Sequence, residues 1–245
     1  MKILKLLFAS VSTLLFASVV NADSITVVSW GGAYTKSQVE AYHKPWQNKT
    51  GNQVVSEDYS GGLAEVKAQV ESGNVTWDVV DVELSDALQG CDEGILETID
   101  PSTLPAAPDG TPATKDFMDG ALQECAVGNI VWSTIYAYDK TKFSTPPTTM
   151  ADFFNVEKFP GKRGMRKLGK AMLEMALMGD GVPAEEVYDL LGTEAGVQRA
   201  FAKLDTIKDH VVWWEAGAQP PQLLADGEVT MTIVWNGRIT VESPN

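Results

Sequence analysis

The sequence predicts an α/β protein built from two lobes, and three observations carry that expectation. Short β-rich runs alternate with stretches of helical periodicity from Ile25 to Trp235. Glycine closes most of these units, as the tight connections of a parallel sheet require. Beyond residue 22 no stretch is apolar over the ~20 residues needed to cross a bilayer. With 44% hydrophobic and 21% charged residues, the chain has the apolar content of a packed globular protein and not of a disordered one.

Residues 1–22 stand apart from the fold. Lys2 and Lys5 precede an apolar run from Leu6 to Val20, and Val20-Asn21-Ala22 supplies small residues ahead of Asp23. That is the pattern of a secretory signal peptide, so export to the periplasm and a mature chain starting at Asp23 are expected.

The first lobe is expected over residues 23–137. Ile25–Trp30 reads as a strand ended by Gly31-Gly32. Val39, Tyr42 and Trp46 share one helical face between Thr35 and Lys49, stopped at Gly51. Gln53–Tyr59 is a second strand, and Leu63, Val66 and Val70 mark a helix ending at Gly73. Trp77–Val82 is a third strand, Leu84–Gln89 a helix, and Pro101–Pro112 a Pro-rich surface loop. Asn129–Asp139 reads as one long strand leading out of the lobe.

The second lobe is expected over residues 138–235. Met172–Met178 and Ala184–Leu191 read as helices, the second led by Pro183. Val197, Phe201 and Leu204 mark a third helix. Val211–Trp214 and Val229–Trp235 are strands separated by a short helix over Gln222–Ala225. Residues 236–245 then begin a return crossing to the first lobe.

Charge narrows the function classes. Nineteen basic against 33 acidic residues give a net charge of −14. Removal of Lys2 and Lys5 with the signal peptide leaves 17 basic residues and a net charge of −16. Such a field repels phosphate backbones, so nucleic acid is excluded as a partner and a small organic cation is favoured. Cys91 and Cys125 are the only cysteines, and in an oxidising compartment one Cys91–Cys125 disulfide is the economical reading, against two buried thiols. In the chain-entropy model a loop of that size contributes roughly 3–4 kcal/mol. Two Cys and two His do not make a four-ligand zinc site, and no cofactor motif is present.

Ligands of open α/β sheets bind outside the carboxyl ends of strands. At those ends stand Trp30, Asp81 and Glu83, Trp214 and Glu215, and Trp235. Aromatic faces with carboxylates suit an organic ammonium. Packing is the plainer role for any one of the tryptophans. Asp81 and Glu83 are also the one pair that an exported hydrolase would use as acid and base, but no nucleophile–base motif accompanies them. Lys162, Arg163, Arg166, Lys167 and Lys170 form a basic patch. It reads as a solvated loop, a docking contact for an acidic partner, or a counter-charge for a ligand carboxylate.

Several blocks in order resemble the periplasmic polyamine-type solute-binding proteins of ABC transporters. They are Ser29-Trp30-Gly31-Gly32-Ala33-Tyr34, Trp77–Glu83, Phe159-Pro160-Gly161-Lys162-Arg163, Gly192–Asp205 and Trp235-Asn236-Gly237-Arg238. The resemblance implies a type II periplasmic binding protein fold: two α/β lobes around a ligand cleft, with no chemistry on the ligand. It implies a monomer that hands a spermidine- or putrescine-like amine to an ABC permease in the inner membrane. It gives Trp30 the role of a stacking ring, Glu83 that of a polar strand-end contact, and Trp235 that of a second-lobe aromatic. A sensory module presenting ligand to a receptor is a further alternative. The family pattern continues past Ser243-Pro244-Asn245, so the fold is expected to be C-terminally incomplete, as a fragment or a shortened product.

Overall fold

A computed structural model describes residues 23–239; the signal peptide expected over 1–22, and residues 240–245 of the return crossing, lie outside the described residues. The chain opens with strand β1 (Ser24–Ser29), which leads through Gly31 into helix α1 (Gly32–Gln38). A wider π-helical turn over Val39–His43 joins it to α2 (Lys44–Thr50). Pro45 has no N–H for the carbonyl one turn back, and the widened turn directly ahead of it absorbs that gap. Strand β2 (Gln53–Asp58), helix α3 (Ala64–Ser72), strand β3 (Val79–Val80) and helix α4 (Leu84–Asp92) complete the first α/β unit.

β1 lies in the middle of this sheet, parallel to β2 on one side and to β3 on the other. The third strand is shorter than Trp77–Val82 because side chains replace part of its ladder. The Asp78 carboxylate accepts the Thr26 N–H at 2.7 Å, and the Gln69 carbonyl oxygen accepts the N–H groups of Thr76 and Trp77. A disulfide joins Cys91, on α4, to Cys125 across the loops that follow, which include the one-turn helix α5 (Ala113–Asp116).

Strand β4 (Thr134–Tyr138) is the only part of Asn129–Asp139 that is extended in a sheet. It runs antiparallel to the last strand of the second sheet. Helix α6 (Met150–Phe154) was not foreseen; Thr149 caps it, with the Asp152 carboxylate returning to the Thr149 N–H. The order continues with β5 (Arg163–Arg166), α7 (Met172–Gly179), α8 (Val187–Leu191), α9 (Glu194–Asp205), β6 (Val211–Trp214), α10 (Gln219–Ala225), β7 (Met231–Trp235) and α11 (Asn236–Ile239). The sheet order is β4-β7-β5-β6, with β5 parallel to both β6 and β7. This sheet is therefore mixed, where a parallel one was expected.

Phe153, Met165, Leu177, Ile207, Met231 and Ile233 are fully buried between this second sheet and helices α6, α7 and α9. Within that core lies Arg163, with no solvent exposure. Its guanidinium donates to the carbonyls of Phe153 at 2.6 Å, Phe159 at 2.6 Å and Gly161 at 2.8 Å. A buried cation persists when its donors are used, and here irregular backbone around residues 153–161 supplies the acceptors. The solvated-loop reading of residues 162–170 is thereby overturned. Arg163 and Arg166 belong to an inner strand, and only Lys162 and Lys167 face water freely.

Candidate functional site

Trp30 leaves the carboxyl end of β1 and is held from three sides. Its carbonyl accepts Arg238 Nη2 at 2.8 Å, and the next carbonyl, of Gly31, accepts Arg238 Nη1 at 2.6 Å. Arg238 belongs to α11, directly after the last strand of the second sheet, so that segment pins the end of the first strand of the first sheet. Gly61 passes beneath the indole with φ 87°, and a Cβ there would lie 2.2 Å from the ring. Only glycine combines that left-handed backbone with so close an approach. Tyr59 and Trp235 complete the clamp, with ring centres 5.4 and 5.5 Å from that of Trp30.

On the same side of the first sheet, Glu83 ends the β3 connection and begins α4. Glu83 and Asp86, one helical turn apart, are both buried. They face two cations from the second lobe. Lys170 Nζ lies 2.6 Å from Glu83 and 2.9 Å from Asp86, and Arg166 Nη1 lies 3.7 Å from Glu83. Burial works against the charged form of Lys170, but its bonds to Glu83 and Asp86 outweigh this and hold it above the ordinary lysine value. Burial pulls Arg166 below the usual arginine value, with Glu83 and Asp86 opposing. Its Nη2 donates to the Ser60 carbonyl at 2.9 Å, and its Cζ lies 5.1 Å from the Trp235 ring centre and 5.7 Å from that of Trp30. One guanidinium thus ties a backbone carbonyl of the first lobe to aromatic rings of both.

Between these groups lies a cleft cavity of about 420 Å³, of a size for a small metabolite. Trp30, Glu83 and Glu215, all expected at the site, line it. The other three expected residues do not. Asp81 accepts from Ser29 Oγ at 3.1 Å and Gln38 Nε2 at 2.9 Å, so it braces β1 against α1. Trp214 is buried edge-on to Trp235, and Trp235 backs Arg166, making an aromatic wall behind the cavity. Asp81 and Glu83 therefore do not face one substrate position, as a hydrolytic pair would. The lining that sequence reasoning missed is Asp86 and the Ser60-Gly61-Gly62 turn, whereas Arg166, Lys167 and Lys170 come from the basic patch, for which a counter-charge was one of three readings. Arg166 stands at a strand end like the others, and the strand-end rule finds it once β5 is recognised.

Two α/β lobes, a cleft at their strand ends and side chains crossing between them define a solute-binding protein of the periplasmic binding protein fold. The chain belongs to the bacterial extracellular solute-binding protein family, whose model matches residues 39–244. It is 51% identical over 223 residues to the gamma-aminobutyric acid-binding protein of Pseudomonas aeruginosa, covering 91% of this chain and 61% of that one. Among solved structures, the PBP MotA from A. tumefaciens B6 in complex with glucopine is 36% identical with a TM-score of 0.81, covering 89% of this chain and 65% of that one. A GABA receptor of known structure is 35% identical with a TM-score of 0.71, over 89% of this chain and 64% of its own. The chain thus spans about three fifths to two thirds of the length of these relatives. The family is one of binding proteins and not of enzymes, which removes the hydrolase alternative. Of the polyamine-type resemblance, the solute-binding family and the fold are shown and the polyamine type is not; the relatives named here are described with gamma-aminobutyric acid and glucopine.

Proposed function

We propose that this protein is the solute-binding component of an ABC importer. It is exported to the periplasm and captures a small zwitterion of the 4-aminobutyrate class for a permease in the inner membrane. The observation that carries this is the charge of the cleft: three carboxylates (Glu83, Asp86, Glu215) and three cations (Arg166, Lys167, Lys170) line it. The chain as a whole is strongly acidic, yet the cavity is balanced. A diamine has no anion of its own for Arg166 and Lys167, whereas an amino acid offers one charge to each side. Arg166 has donors beyond its bond to Ser60, and its fork suits a carboxylate. Trp30 supplies an apolar face for the carbon chain, and Glu215, two-thirds exposed and 3.8 Å from Lys167, is the anion least committed to another partner. The 51% identity to a protein named for gamma-aminobutyric acid supports the same class.

Calorimetry on the full-length protein with 4-aminobutyrate, putrescine and butyrate tests the reading. The amino acid is expected to bind most tightly and to be recovered unchanged. Tighter binding of putrescine overturns it. Within the same assay Trp30→Ala is expected to weaken 4-aminobutyrate by about 1–2 kcal/mol, close to tenfold. Unaltered affinity removes Trp30 from the contact.

A further inference from the structure

We propose that Lys170 sets the charge class of ligand that this cleft accepts, a role that rests on the zwitterion reading above. Its ammonium occupies the position that a ligand amine would take between two acids. Besides Glu83 at 2.6 Å and Asp86 at 2.9 Å, it donates to Ser85 Oγ at 2.9 Å. Glu83 and Asp86 are both buried, so a protein cation and not water compensates their carboxylates. The backbone is bent to deliver it: Ala171, the next residue, has φ 68°, the one positive value on a non-glycine among the described residues. Such a conformation is unfavourable for alanine and persists where the surroundings hold it. Lys170 is thus a built-in substitute for an ammonium ligand, carried by the second lobe into the acidic pocket of the first.

The consequence is a change of selectivity and not only a loss of binding. Without the Lys170 charge, the lining carries one anion more than its cations, and Glu83 and Asp86 are free to take a ligand ammonium. The same cleft then suits a diamine. Without the Glu83 charge the excess is cationic, and a monocarboxylate is favoured.

Putrescine, 4-aminobutyrate and butyrate share a four-carbon chain and differ in charge, so they report on this alone. Affinities are measured on the full-length protein, with melting curves for each variant. Lys170→Gln is expected to raise the ratio of putrescine to butyrate affinity by about tenfold or more, and Glu83→Gln to lower it by a similar factor. Lys170→Arg, which keeps the charge, is expected to keep the wild-type ratio. A residue that only supports the fold would weaken all three ligands together and leave the ratio in place. An unmoved ratio in folded variants overturns the proposal, and if Lys170→Gln does not fold, Glu83→Gln decides alone by the same criterion. Failure of the wild type to bind 4-aminobutyrate overturns the proposed function instead, because the ratio is read from the other two compounds.

Discussion

Arg166→Ala is expected to abolish most of the affinity for 4-aminobutyrate. Removing one member of a desolvated charge pair costs about 2–5 kcal/mol, which is about 30- to several-thousand-fold. The effect has two sources. The ligand carboxylate loses its forked donor, and Glu83 loses one of its two cations while it remains buried. Arg166→Lys restores charge without the planar fork or the stacking on Trp235 and Trp30, so it is expected to recover only part of the affinity. Calorimetry on variants with an intact melting transition checks this. Wild-type affinity in folded Arg166→Ala would assign the carboxylate to another donor.

Arg163→Ala is expected to be the most damaging single change to stability, by about 3–5 kcal/mol. It empties the position of one of the largest fully buried side chains and leaves the carbonyls of Phe153, Phe159 and Gly161 without their donor. Because Arg163 and Arg166 sit three residues apart on one strand, the two substitutions separate cleanly. Arg163→Ala should shift the urea midpoint while the folded fraction keeps its ligand preference, and Arg166→Ala should act chiefly on binding. An unfolding free energy within about 0.5 kcal/mol of wild type would mean that those carbonyls find other donors.

Much of the element order was legible because it is written locally. Val211–Trp214 matched to the residue, and Gln53–Asp58 and Met172–Gly179 to within one. Helical periodicity and glycine stops act over a few residues and survive most tertiary contexts. The misreadings are equally physical. β3 is short because Asp78 and Gln69 side chains take over backbone bonds, and no periodicity reports that. β5 reads as a loop in the sequence because four of the eight residues in Gly161–Leu168 are cationic, which normally marks water. Backbone carbonyls make two of those cations tolerable in the interior, those of Phe153, Phe159 and Gly161 for Arg163 and that of Ser60 for Arg166.

The sequence by itself determined that the chain is an α/β protein, and that aromatic and acidic residues gather at strand ends. These follow from composition and short-range pattern. Only the tertiary structure decided what the cleft is electrostatically. Lys170 meets Asp86 across 84 residues of chain, and Arg166 meets the Ser60 carbonyl across 106. A net charge of −14 is a sum over the molecule, whereas a ligand responds to the few charges within several ångströms in a site of low dielectric. Folding places three cations beside three carboxylates there, and the proposed zwitterion ligand rests on that local balance.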